Sequence, residues 1–312
     1  MNVRVYHGAA LAAYGFGQGH PFGSDRLDAF WREVVKQGLD QRVTHGEPVM
    51  CTTEDLALFH TTEYIQRVQK QSVTGTGYLD QGDTPAFHGV FEAASCVVGS
   101  VLDGVKNIIE GHCTRVFVPI AGLHHARRDA ASGFCVFNDI GVAIEALRQR
   151  HGIRRVAYVD IDAHHGDGVF YAFEDDPDLR FADIHEDGHY LYPGTGFANE
   201  TGKGKAIGTK LNIPLEPGAN DVAFQRVWPR VEEFVRAGRP EFIILQAGAD
   251  SIAGDPITHL QLTPKAHAHA TARLCALADE FCQGRIIGLG GGGYNRANLA
   301  AAWTAVVQAM LA

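Results

Sequence analysis

Asp160, Asp162 and His164 stand at alternate positions where the apolar run V-A-Y-V-D gives way to I-D-A-H-H-G-D-G. Alternate residues of an extended chain point the same way. Asp162 and His164 can therefore reach one ion together, with Asp160 one step deeper on the same face. Asp250 closes a second apolar run and can supply a third donor. Two carboxylates and one imidazole leave a position free for water, which is the open arrangement of a catalytic zinc site. Two carboxylates also offset the ion's charge, leaving that water less acidic than an all-histidine site would.

A metal-dependent hydrolase needs a base for the water and an acid for the leaving group. His124 and His125, adjacent after P-I-A-G-L, are the candidates. Carboxylates behind such imidazoles set their tautomer and basicity, and Asp160 and Asp167 are plausible partners. Gly290–Gly293 follow another apolar run and precede Tyr294. Four glycines suit tight turns and a close approach of backbone to ligand. A phosphate-cradling loop would need Lys-Ser/Thr next, and here Tyr-Asn follows. A tyrosine held over a carbonyl can donate to a developing oxyanion.

These residues need elements to aim them. Strands are expected over Val3–His7, Arg115–Pro119, Val156–Asp160, Leu179–Ile184, Thr209–Ile213, Phe242–Gln246 and Arg285–Leu289. Amphipathic helices are expected over Phe91–Glu110, Asp139–His151, Val222–Ala237 and Pro264–Gln283. The alternation predicts an α/β fold, a mostly parallel sheet with helices on both faces. No linker or repeat divides residues 1–312, so a single domain is expected. Five polar segments lie just past strand candidates, at the edge where open α/β sheets bind ligands.

Bulk properties narrow the classes. The chain has 312 residues, 46% of them hydrophobic, and a net charge of −9. That balance gives no general attraction to nucleic acid or anionic membrane. The six scattered cysteines form no C-x-x-C pair, as expected for a reducing compartment. No export signal and no spanning run are evident, so a cytoplasmic enzyme is expected.

The motifs in this order resemble the histone deacetylase superfamily, within it the class I and bacterial acetoin-utilisation-type branch. The resemblance is carried by G-D-T-P at Gly82–Pro85, G-L-H-H-A at Gly122–Ala126 and A-S-G-F-C-V-F-N-D at Ala131–Asp139. It continues through V-D-I-D-A-H-H-G-D-G-V at Val159–Val169, Y-P-G-T-G at Tyr192–Gly196, G-A-D-S-I-A-G-D-P at Gly248–Pro256 and G-G-G-G-Y-N at Gly290–Asn295. An early G-H-P at Gly19–Pro21 with Arg26 also fits.

The resemblance implies the arginase/deacetylase-like fold and removal of acetyl groups from lysine side chains or other acylated amines. Asp162, His164 and Asp250 would hold zinc or iron(II). His125 backed by Asp167 would be general base and acid, His124 backed by Asp160 its electrostatic partner, and Tyr294 the carbonyl donor. Phe134 and Tyr192 would wall a narrow channel, with Gly133 and Gly292 letting the substrate arm pass. Asp83 would grip backbone amides at the rim, and Arg26 would line an internal exit pocket. A structural potassium ion would take Asp160, Asp162, His164, Asp183 and Ile184.

Three departures stand out. Asp183 replaces a common serine near the potassium, and Tyr192 a common phenylalanine. His185, Glu186 and Asp187 suggest an acidic rim that would favour cationic substrates. A two-manganese arginase-like enzyme would need carboxylates where Gly166 and Ile252 stand. A non-catalytic acyl sensor would not need the full set of catalytic residues. Among deacylases, a protein lysine deacetylase comes first and an acetylpolyamine or other small-amine hydrolase second. At 312 residues the chain has little room for the channel-constricting, dimer-promoting insertion that polyamine enzymes of this superfamily often carry, although the short Gly75–Asp83 segment is unassigned.

Overall fold

The structure, a computed structural model, describes residues 2–17 and 19–312. Its eight strands are β1 Val3–Tyr6, β2 Thr44–Gly46, β3 Arg115–Val118, β4 Val156–Asp160, β5 Leu179–Glu186, β6 Lys210–Leu215, β7 Phe242–Gln246 and β8 Ile286–Leu289. They form one sheet in the order β2-β1-β3-β8-β7-β4-β5-β6, and every pairing is parallel. The central strands are buried along their whole length, which explains their unbroken apolar runs.

The helices are α1 Ala9–Ala12, α2 Arg26–Lys36, α3 Thr53–Leu56, α4 Thr62–Thr74, α5 Val90–Ile109, α6 Asp139–His151, α7 Asp167–Ala172, α8 Asp221–Gly238, α9 Pro264–Phe281 and α10 Arg296–Leu311. One packed group is α2, α10, α9 and α8; another is α4, α5 and α6. Local chemistry sets their ends. Asn138 caps α6 by accepting from Gly141 N at 2.9 Å, and Gly152 ends it at a φ of 68°, as left-handed caps require. Thr263 caps α9, whose first residue is Pro264.

The expected α/β fold is present, and its sheet is wholly parallel. Helices α2, α4 and α10 go beyond the elements read from the sequence. In α10 nearly every turn contributes buried residues, among them Leu299, Trp303, Val307 and Met310. Its sequence is apolar on most sides and shows little amphipathic period. Strand β2 is three residues long, too short for an alternation to register. Strand β5 runs two residues past Ile184, pairing with β6 up to Glu186↔Leu215.

Because all strands are parallel, their carboxyl ends lie along one edge. The segments after β3, β8, β7 and β4 are neighbours there, and they carry the chemistry-bearing residues.

Candidate metal centre and its cavity

The loop after β4 delivers Asp162 and His164, and the loop after β7 delivers Asp250. One donor atom from each lies within 4.8 Å of the others, and all three residues are buried. His164 Nδ1 is 3.0 Å from Asp162 Oδ1 and 3.2 Å from Asp250 Oδ2. The remaining oxygens are pinned. Asp162 Oδ2 accepts from Gln246 Nε2 at 2.8 Å and Gly292 N at 2.9 Å, and Asp250 Oδ1 accepts from Ala163 N at 2.9 Å.

Charge sets the logic of this cluster. Burial opposes protonation of His164, but hydrogen bonds to Asp162 and Asp250 outweigh it and lift the imidazole to about 10. Burial, then the charge of Asp162, pushes Asp250 up. The raised His164 and Asp250 show that two carboxylates buried together need positive charge between them, and a divalent cation, taking the place of the imidazole proton, would supply it. The donor set, two carboxylates and one imidazole, fits zinc or iron(II). A Cβ on Gly292 would stand 2.0 Å from Asp250 Oδ2 and 2.9 Å from Asp162 Oδ2, so only glycine fits over the cluster.

The loop after β3 holds the histidine pair. Asp139, at the first position of α6, accepts from Gly122 N and Leu123 N at 2.9 to 3.1 Å and fixes that loop. His124 Nδ1 is 2.8 Å from Asp160 Oδ2, and His125 Nδ1 is 2.7 Å from Asp167 Oδ1. Burial, reinforced by His124, pushes His125 down to about 4. Burial alone would raise Asp167, but the hydrogen bond from His125 holds it below the usual carboxylate range. The pair is therefore a neutral imidazole donating Nδ1–H to a carboxylate, a tautomer assigned from its partners. Tyr158 also donates to Asp160 Oδ2.

Above the cluster lies a cavity of about 240 Å³. Its wall includes His124, His125, Asp162, His164, Gly292 and Tyr294, with Asp83, Gly133, Phe134 and Tyr192 toward the surface. The Phe134 and Tyr294 rings meet edge to face at 5.9 Å, and Tyr192 stands 5.1 Å from the His125 ring. Gly133 and Phe134 both have positive φ, 53° and 66°, in a tight turn bridged by Ser132 and Cys135. A Cβ on Gly133 would lie 2.5 Å from the His125 ring.

Arg26 is fully buried but does not line this cavity. Its Nε donates to Gly293 O at 2.9 Å and its Nη2 to Gly291 O at 2.6 Å. It braces the glycine run from beneath, packed against Phe22.

The expected acidic rim is not there. His185 and Glu186 are in-sheet residues of β5 and are buried. His185 is bonded to Asp183 Oδ1 at 2.7 Å and Gly196 O at 2.9 Å, and Glu186 holds His259 through N and Nδ1. Asp187 is tied to His189 and lines neither this cavity nor the groove beside it. The extra two residues of strand turn these side chains inward. Asp183, opposite Asp160 in the β4–β5 pairing, accepts from His185 Nδ1 on Oδ1 and from Gly166 N on Oδ2 at 2.9 Å. Ile184 is buried beside it.

Sequence reasoning did not single out Asp139, Gln246 or Tyr158. For Gln246 and Tyr158 the signal was a polar residue inside an otherwise buried apolar strand, as in F-I-I-L-Q and V-A-Y-V-D.

This is a parallel α/β enzyme with a candidate metal centre at the carboxyl edge of its sheet. The chain belongs to the histone deacetylase family, whose "Histone deacetylase domain" matches residues 20–310. It is 38% identical over 293 residues to the acetoin utilization protein AcuC of Bacillus subtilis, covering 90% of this chain and 75% of that one. It is 35% identical to histone deacetylase 8 of Danio rerio, covering 89% and 74%. A probable deacetylase of Archaeoglobus fulgidus is 34% identical, covering 88% and 77%. The crystal structure of the HDA15 HD domain superposes with a TM-score of 0.92 at 28% identity, covering 100% of this chain and 89% of that one. The chain is thus a deacetylase, a hydrolase acting on acetyl amides, of a family that is generally metal-dependent.

Proposed function

We propose that this protein is a zinc-dependent lysine deacetylase that hydrolyses the amide of N-acetyl-lysine side chains. The observation that carries the reading is the Asp162–His164–Asp250 cluster on the floor of a narrow cavity whose wall holds the His124–His125 pair and Tyr294. Zinc, or iron(II) in its place, held by those three residues would polarise the acyl carbonyl and acidify a water. His125 Nε2, its other nitrogen committed to Asp167, takes the proton from that water. Tyr294 donates a hydrogen bond to the carbonyl oxygen as charge develops there. His125 then returns the proton to the leaving amine. His124, held by Asp160, supports His125 electrostatically. Phe134, Tyr192, Gly133 and Gly292 wall the path of the acyl-lysine arm, and Asp83 meets the substrate backbone at the mouth.

A potassium ion beside this centre belongs to the same proposal, with Asp160, Asp162, His164, Asp183 and Ile184 around it. The side-chain oxygens of Asp160 and Asp183 are already engaged by His124, Tyr158, Asp162 N, His185 and Gly166 N. Backbone carbonyls of these residues and the lone pairs still free on those carboxylates would supply its ligands.

Residues 1–312 would act as one catalytic domain in the cytoplasm on acylated amines, without nucleic acid or membrane. Six free cysteines support a reducing compartment. No helix among the described residues is long and apolar enough to cross a membrane.

The test is steady-state deacylation by the zinc-loaded protein, with an acetyl-lysine peptide and N-acetylputrescine compared under identical conditions. A higher kcat/KM on the peptide is expected. The reverse order would make this a small-amine hydrolase, and inactivity on both with zinc bound would overturn the deacetylase reading of the site.

A further inference from the structure

A groove of about 1010 Å³ opens beside the narrow cavity, and Asp83, Gly133 and Tyr192 line both. An acyl-lysine arm entering the cavity must therefore leave its flanking residues at the end of this groove. Three cations line it, Arg67, Lys70 and Arg127. Arg67 and Lys70 lie three apart on α4, on one face of the helix. Arg67 is held in place by donating to Leu79 O at 2.9 Å beside the Tyr64 ring. The lysines that hold a carboxylate are Lys36, Lys106 and Lys203; Lys70 is exposed and holds none among the described residues. Arg127 is exposed, with only a long contact of 3.7 Å to Asp167 Oδ2.

The acids in the groove do not balance these charges outward. Asp80 turns its carboxylate into its own loop, accepting from Gly82 N, Asp83 N, Thr84 N and the Thr84 hydroxyl at 2.5 to 3.1 Å. Asp83 alone remains at the junction with the cavity. In a chain of net charge −9, a groove with three cations at the substrate entrance is a local reversal of sign. Complementary charge at such a rim selects partners and speeds their arrival.

We propose that this groove is a specificity subsite that receives the peptide flanking the acetyl-lysine and selects substrates with acidic side chains there. This rests on the lysine-deacetylase reading and names the substrate class within it. Cationic polyamines are disfavoured by the same charges.

The experiment uses three acetyl-lysine peptides that differ only in flanking residues, acidic, neutral or basic, with zinc-loaded wild type and Lys70→Glu. For wild type, kcat/KM on the acidic peptide should exceed that on the basic one by about three- to tenfold at low salt. The preference should sit in KM and shrink as ionic strength rises. In Lys70→Glu the acidic-to-basic ratio should fall to one or below. Because each ratio is internal to one protein, partial misfolding of the variant cancels. Equal turnover of all three peptides by wild type, or an unchanged ratio in Lys70→Glu, would overturn the subsite while leaving the deacetylase reading intact. Inertness of all three would overturn both.

Discussion

His124 Nε2 and His125 Nε2 face each other at 3.1 Å, so at most one of them can carry a proton on that edge. With Nδ1 donating to Asp167, neutral His125 keeps its Nε2 as a lone pair. The two imidazoles answer to different carboxylates, His124 to Asp160 and His125 to Asp167. His125→Ala should lower kcat by about 10²–10⁴-fold, with bound zinc, measured by elemental analysis, unchanged. Near-full activity would remove His125 from the mechanism.

The Tyr294 hydroxyl makes no hydrogen bond among the described residues, while its backbone N is anchored to Asp255 Oδ2 at 2.8 Å. A hydroxyl without a protein partner at a cavity wall is free for substrate. Tyr294→Phe should cost about 10²–10³-fold in kcat with little change in KM. Substantial activity in this variant would contradict the oxyanion role.

Gly292→Ala should weaken metal binding by about 10–100-fold, the range seen when groups supporting metal ligands are disturbed. The added methyl collides with both carboxylates, which are held in place by Gln246 Nε2, Gly292 N and Ala163 N. Competition with a chromophoric chelator gives the affinity directly. Wild-type affinity in Gly292→Ala would mean that the carboxylates move on metal loading.

His60 supplies a pH test away from the metal cluster. Its Nε2 accepts from Asn138 N at 2.9 Å, and burial pushes it from 6.5 down to about 3. The unfolded chain takes up a proton below pH 6.5 that the folded protein refuses until about pH 3. Its contribution is therefore complete above pH 6.5 and is lost as pH falls below that value. Between those limits wild type should lose about 1.4 kcal/mol per pH unit relative to His60→Gln. Urea unfolding of both proteins at pH 7.5 and 5.5 measures the difference. Parallel pH dependence would show that His60 is charged in the folded state.

Much of the site was legible because its residues sit in short motifs just past strand ends, Asp162 and His164 after β4 and Asp250 after β7. Asp162, His164 and Asp250 are brought together as the alternation of side chains implied, and both histidines find the carboxylates expected. The rim was illegible for a reason of length. Nothing in H-E-D says whether a strand stops at Ile184 or continues to Glu186, and one strand's end decides whether those charges face water or the interior. The basic groove was hidden differently. Arg67, Lys70 and Arg127 come from α4 and a distant loop, and only tertiary structure makes them neighbours. Helix α10 escaped because burial on most sides erases the periodicity by which helices are read.

Strands β4 and β7 pair directly, although β5, β6 and α8 intervene in the chain. His164 and Asp250, 86 residues apart in sequence, thereby become contacts. An ion bound between them would act as a clasp across a long closed loop, a crosslink that forms only after three crossover connections, β4 to β5, β5 to β6 and β6 to β7, have been completed. Loading the centre should then register far from it, as slower amide exchange throughout β5, β6 and α8.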